Sequence, residues 1–279
     1  MKLAVLADIH ANLVALQAVT AHVEAWQPDL VVVAGDVVNR GPRPLECLRF
    51  VQDRQQRAGW LVVRGNHEDY VLSHTQPETP HHGLEFEIHR HSYWTYRQLT
   101  GNVSTLAAMP FHQQLLAPDG SEVRITHGSI MGNRDGIYPE MSETKLRQKI
   151  DPASALFCVG HTHRPLIRSV DDTLVVNVGS AGLPFDGDPR PSYAQLIWQQ
   201  GQWQAEIIRL DYDRRRAERD FFETRFFEGS GPLGALILDE FHTAQSRLYQ
   251  WTETYRPLVL AGEMTMTQSA REFLANIDT

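Results

Sequence analysis

Disulfides, membrane spans and a basic surface are all missing from this chain of 279 residues. Cysteine occurs only at Cys47 and Cys158. That is too few for a disulfide framework, so nothing calls for an oxidising compartment, and both read as small buried apolar residues. No stretch approaches the roughly 18 apolar residues of a membrane helix. The opening run from Met1 to Ala7 is cut by Asp8 and His10, short of the roughly 7 to 15 apolar residues of a signal peptide core. The expectation is a cytoplasmic protein with no membrane partner. Basic residues are outnumbered, 26 Lys and Arg against 34 Asp and Glu, for a net charge of −8. A broad duplex-binding surface needs many cations to displace the counterions of phosphates, so this balance argues against a duplex nucleic acid partner, though not against a local basic pocket. What is present is ordinary for a folded globular chain, 42% hydrophobic and 22% charged, which excludes disordered and fibrous classes. The length suits one large domain, or a domain with a small appendage.

Strands and helices alternate in the first half. Lys2 to Ala7 is a short apolar run, and Leu13 to Trp26 follows with Leu13, Leu16, Val19 and Val23 at helical spacing. Leu30 to Ala34 is continuous and apolar, as in a strand buried on both faces; Arg43 to Gln56 reads as a helix after Pro42, and Trp60 to Val63 as a third strand. This order predicts a sheet with parallel strands and crossover helices. From about 75 to 109 the chain turns polar, helical and rich in histidine (His74, His81, His82, His89, His91), the pattern of an inserted cap. Strand-like runs then cover 123–126, 155–159, 165–170, 173–178, 193–198 and 203–210 with turn signals between them, which predicts a meander or hairpin series. Beyond Asp211 the pattern is helical, with Phe221, Phe222, Phe226 and Phe227 paired either for packing or for an oligomer interface.

Five strand-like runs end in residues able to bind a metal: Asp8-Ile9-His10, Gly35-Asp36, Gly65-Asn66-His67, His127 and Gly160-His161-Thr162-His163. Ligands of open α/β sheets bind outside the carboxyl ends of the strands, where these five would converge. Asp8/His10 and His161/His163 are spaced i, i+2, which in extended backbone puts both side chains on one side. Asp8, His10, Asp36, Asn66, His127, His161 and His163 are too many donors for one ion with an open position. They suit two divalent ions sharing Asp36, and Mn, Fe, Ni or Zn fit such a set. Two ions roughly 3.5 to 4 Å apart can hold a deprotonated water and neutralise a phosphoryl group during in-line displacement, so the chemistry expected is phosphoester hydrolysis.

In order and spacing these motifs resemble those of the calcineurin-like metallophosphoesterases, over about residues 1 to 210. Thr126-His127-Gly128-Ser129, Gly160 to Pro165 and Asn177 to Ser180 are similar to the small bacterial phosphodiesterase or diadenosine-tetraphosphatase-like subgroup. The resemblance implies a four-layer α/β/β/α sandwich over 1–210 with the helical cap inserted, and a helical extension over 211–279 packed on the same domain. It implies that Asp8, His10, Asp36 and His163 hold one metal and Asp36, Asn66, His127 and His161 the other. It further implies that His67 is the general acid facing the leaving group, and that the substrate is a small phosphodiester or nucleotide. Gly35 to Gly41 and Arg64 to Glu68 are also similar to the Ser/Thr protein phosphatases, where the arginine matching Arg40 clamps phosphate bidentately. That branch has an aspartate where this chain has Asn39, and a neutral amide does not stabilise an imidazolium as a carboxylate does.

Two alternatives stand beside the phosphodiesterase expectation. Arg40 and the Arg64-to-Glu68 string suggest a phosphomonoesterase or a Ser/Thr phosphoprotein phosphatase. A non-catalytic scaffold on the same fold, like the retromer subunit that resembles these enzymes, is the other; here every expected ligand and His67 are retained. The histidines between 74 and 91 read as a solvated helix face, with His89 or His91 the pair to expect at the substrate.

Overall fold

A computed structural model describes residues 1–277; residues 278 and 279 of the expected helical extension lie outside the described residues. Among the described residues ten strands form two five-stranded sheets. They are β1 (Lys2–Leu6), β2 (Leu30–Val33), β3 (Leu61–Val62), β4 (His112–Leu116), β5 (Glu122–Thr126), β6 (Leu156–Val159), β7 (Leu166–Val170), β8 (Thr173–Asn177), β9 (Ser192–Gln199) and β10 (Gln202–Arg209). The first sheet runs β10-β9-β1-β2-β3, the second β4-β5-β6-β8-β7.

Side-chain alternation along the strands makes the four layers. Leu3, Val5, Val32, Ile125, Cys158, Val176 and Leu196 point between the sheets and close one core. Their neighbours Ala4, Leu6, Val31 and Val33 face the other way, onto Leu16, Val19 and Val23 of the helix Leu13–Trp26 and Leu48 and Val51 of the helix Pro44–Ala58. On the far side Phe157, Val159 and Val175 pack against Leu146 and Ile150 of the helix Glu143–Ile150. The result is the α/β/β/α sandwich, and both cysteines are buried in it as free thiols. Among the described residues no helix is long and apolar enough to cross a membrane.

The second half holds the hairpins β4/β5, β7/β8 and β9/β10 but is not a continuous meander. β5, β6 and β8 are parallel, and β9 and β10 leave the second sheet to pair beside β1. The reason lies in two elements that the pattern hides. The crossover helix Glu143–Ile150 carries just Leu146 and Ile150 as buried contacts in an otherwise charged sequence. β4 is a polar edge strand whose residues alternate exposed and half-buried. The helices Leu84–Ile88, Arg90–Leu99 and Val103–Ala107 fill the insertion, and from Arg214 onward the described chain is helical. These two regions share an apolar cluster, in which Trp94 meets Phe226 edge-on with centroids 5.0 Å apart. The phenylalanine pairs divide accordingly: Phe221 and Phe226 are buried there, and Phe222 is exposed.

Candidate metal centre

The structure brings the seven expected ligand residues together: Asp36, Asn66, His161 and His163 line one cleft, and Asp8, His10 and His127 lie buried directly against them. Asp8, His10, Asp36, Asn66, His127 and His163 are buried, and His161 is half-buried. The i, i+2 spacing works by a different route from the extended backbone anticipated. Asp8, His10, Asp36, His161 and His163 all have left-handed backbone, with φ of 56°, 48°, 55°, 67° and 56°, as do Asn39 (72°) and Arg40 (59°). Each such non-glycine residue costs on the order of 1–3 kcal/mol, so the loops that turn off the strands are held by their surroundings. Close approach demands glycine at two points: a Cβ added at Gly65 would overlap Asp36 Oδ1, and one at Gly160 would overlap Asp8 Oδ2.

Buried hydrogen bonds fix these loops. Glu68, at the third position of the helix Asn66–Ser73, accepts from Gly65 N–H (2.8 Å), as in half a capping box, and from Asp36, Val37 and Val38 N–H (2.8, 2.8 and 3.2 Å). Burial and the nearby Asp36 carboxylate push the Glu68 carboxyl up to about 7 against these amide donors. Across the cleft, the Asn177 amide donates to Gly160 O (2.9 Å) and Thr162 Oγ1 (2.8 Å), and Ser180 Oγ donates to Asp8 O (2.7 Å).

The donor set fits cations. His10 Nδ1 lies 3.3 Å from Asn39 O, His127 Nδ1 2.8 Å from Ala34 O, and His163 Nδ1 is bonded to Leu183 O. Each Nδ1 therefore carries the proton, and each Nε2 lone pair faces the cleft, as imidazoles do around metals. His10 Nε2 and His163 Nε2 are 3.0 Å apart, and His127 Nε2 is 2.8 Å from Asn66 Oδ1, acceptor against acceptor. Asp8 Oδ1 and Asp36 Oδ2 are buried without a hydrogen-bond donor. Asp36 Oδ2 lies 3.2 Å from His127 Nε2 and 3.7 Å from His10 Nε2, and Asp8 Oδ1 lies 3.2 Å from His163 Nε2. Three overlapping sets, Asp8/His10/His163, His10/Asp36/His67 and Asp8/Asp36/His127, each have their ligand atoms within 4.8 Å of one another. Such crowding of acceptors calls for positive charge between them. Burial opposes a second proton on His127, but the Asp36 carboxylate outweighs it and raises the pKa to about 10.

His67 lines the cleft, and its backbone N–H donates to Asp36 Oδ1 at 2.8 Å. Asn39 Oδ1 already accepts from Arg40 N–H (2.9 Å) and Thr95 Oγ1 (3.3 Å), so the Asn39 amide nitrogen is the donor to His67 Nδ1 at 2.8 Å. That network places the imidazole proton on Nε2. Burial, reinforced by the nearby His10 and by Arg40, lowers the His67 pKa well below its usual value. Arg40 also lines the cleft; its Nη1 sits 3.4 Å from Glu240 Oε2 and its guanidinium lies over Phe185 at 5.8 Å.

The histidine-rich insertion does not reach this cleft. Its lining comes from the strand-end loops and from residues 245–250 of the C-terminal helical region. His89 instead stacks on the back of Tyr70 at 5.7 Å and His91 is buried, because the insertion packs against the helix Asn66–Ser73 and the C-terminal helices. Sequence reading missed Glu240, Tyr249 and the bracing by Glu68. For Glu68 a signal existed, a glutamate three residues after the glycine that starts a helix. For the other two, joined to the site across some 200 residues, none did.

Comparison with known proteins agrees with this architecture. The model of the calcineurin-like phosphoesterase superfamily domain matches residues 1–201, and the chain belongs to that superfamily of metal-binding phosphoester hydrolases. It is 27% identical over 82% of its length to uncharacterized protein MJ0912 of Methanocaldococcus jannaschii, covering 95% of that protein. Its fold matches the metallophosphoesterase from Sphaerobacter thermophilus (TM-score 0.67, 26% identity, 88% of this chain and all of that one) and the hypothetical protein PH1004 from Pyrococcus horikoshii (TM-score 0.74, 18% identity, 88% and 99%). A 45-residue stretch is 49% identical to the symmetrical bis(5'-nucleosyl)-tetraphosphatase of Stutzerimonas stutzeri, 16% of either chain.

Proposed function

We propose that the protein is a dinuclear metal-dependent phosphoesterase acting on a phosphodiester or nucleotide-type substrate. Asp8, His10, Asp36 and His163 hold one divalent ion, and Asp36, Asn66, His127 and His161 the other. Residues 1–210 form the catalytic domain, and the helices beyond 211 are an extension packed on it. The observation that carries this reading is the convergence of buried, donorless carboxylate oxygens on imidazole lone pairs that face one another. When bound, two divalent ions supply Lewis acidity and a nucleophilic water. The chain's own groups do the rest. Arg40 turns its guanidinium to the phosphoryl oxygens. His67, neutral and oriented by Asn39, presents its Nε2–H as a hydrogen-bond donor to the leaving-group oxygen as charge develops there.

Turnover of bis-p-nitrophenyl phosphate by chelator-stripped protein reconstituted with Mn²⁺, beside the monoester, tests the reading. Metal-dependent diester cleavage that collapses in His67→Ala is the expected result. A strong preference for the monoester would replace it with a phosphomonoesterase, and metal binding with no turnover of either ester would leave a scaffold. A nucleoside polyphosphate is a second substrate reading, favoured by the short stretch of likeness to the bis(5'-nucleosyl)-tetraphosphatases.

A further inference from the structure

The cleft is larger than a phosphoryl group requires. Its volume is about 720 Å³, in the range that takes a whole small molecule. Beyond Arg40 and the strand ends, its outer wall is formed by Tyr138, in the loop between β5 and the helix Glu143–Ile150, and by Gln245, Ser246, Tyr249 and Gln250 around the start of the helix Arg247–Thr254.

The two tyrosines stand out for what they lack. Tyr138 is 43% exposed and Tyr249 64% exposed, and among the described residues neither ring packs on another aromatic ring. Tyr70, deeper in the same cleft, is already committed: it meets His67 edge-on at 5.2 Å, stacks on His89, and carries the Arg134 guanidinium 4.5 Å from its centroid. Both rings line the same cleft, where burial and then the neighbouring Tyr249 phenol raise the Tyr138 hydroxyl pKa. Beside them the Gln245 side-chain amide makes no hydrogen bond among the described residues, and Gln250 uses just its oxygen, accepting from Arg247 Nη1 at 3.2 Å.

This wall is fixed relative to the phosphate end. Glu240, fully buried, accepts from Leu248 N–H in the first turn of the helix Arg247–Thr254 (2.9 Å) through Oε1, and faces Arg40 through Oε2. One carboxylate thus sets both the guanidinium and the helix that carries Tyr249 and Gln250.

Exposed rings with free amides beside them suit a flat group with polar edges. An acyl chain would need an apolar trough, whereas a nucleobase offers a π-face to the rings and edge donors and acceptors to the amides. We propose that Tyr138 and Tyr249, with the Gln245 and Gln250 amides, form a subsite for the nucleoside arm of a phosphoester whose phosphoryl group lies at the strand ends. This rests on the phosphoesterase reading above. Stacking supplies the affinity without strict base choice, as it does where single-stranded bases lie on aromatic side chains.

The test compares two diesters with the same leaving group, thymidine 5'-(p-nitrophenyl phosphate) and methyl p-nitrophenyl phosphate, on full-length Mn²⁺-reconstituted protein. Wild type favours the nucleoside ester, and Tyr249→Ala lowers the ratio of the two kcat/KM values roughly tenfold, whereas Tyr249→Phe keeps it. A ratio unchanged in Tyr249→Ala overturns the subsite. If wild type cleaves neither ester, the phosphoesterase reading falls by itself. Equilibrium binding of thymidine 5'-monophosphate, referenced to inorganic phosphate, then decides the subsite: binding weakened about tenfold in Tyr249→Ala, with phosphate unaffected, supports it, and equal binding of the nucleotide overturns it.

Discussion

The helices at 84–107 and those at 214–277 are made of similar material, short amphipathic segments with aromatic anchors, yet they stand in different relations to the cleft. The first region carries the histidines and touches the site from behind, through His89 against Tyr70 and Thr95 Oγ1 on Asn39 Oδ1. The second carries the fully buried carboxylate of Glu240, and through it and residues 245–250 forms the outer wall. They meet in one cluster, to which the first gives Ile88 and Trp94, while its Leu99, Val103 and Leu106 pack toward the helices of the first sheet. Richness in a chemically versatile residue therefore says less about proximity to a site than the path of the chain does, and the histidine-dense segment here is backing for the pocket.

The largest effect should come from the strand ends that both regions enclose. Asp36→Asn removes charge from the central carboxylate, and loss of metal-dependent turnover to background, with reduced metal content by elemental analysis, is expected. Next is the seam between the helical regions. Trp94→Ala empties a buried position against Phe226 and should lower stability by about 3–5 kcal/mol in denaturant unfolding, weakening both regions together if they unfold as one. Glu240→Gln keeps the acceptor for Leu248 N–H and discards the charge facing Arg40; a rise in KM of roughly tenfold with a smaller change in kcat is expected, and no change would uncouple the extension from the site. Smallest is His89→Ala, which should leave kcat/KM within about twofold. A larger loss would make the insertion a working part of the cleft and erase the contrast.

What the sequence disclosed follows the range of the interactions involved. Leu13–Trp26 is helical because its own residues repeat at helical spacing, and the site residues at 8, 10, 36, 66, 127, 161 and 163 are visible because each sits at the end of its own apolar run. The helix Glu143–Ile150 was hidden because burying Leu146 and Ile150 asks for no more apolar residues than that, and β4 because a polar edge strand reads as a loop. The left-handed turns at Asp8 and His163 leave no composition signal, since aspartate and histidine stand there and not glycine. Arg40 and Glu240 meet across 200 positions, a contact that no local pattern encodes.

Glu68 joins two separate turns, through the amide of Gly65 in one and the amides of Asp36, Val37 and Val38 in the other. Substitutions in these loops will therefore not add: a change at one is felt at the other, as happens to residues sharing one buried network. Over generations the floor of this cleft should change by joint replacement or hardly at all.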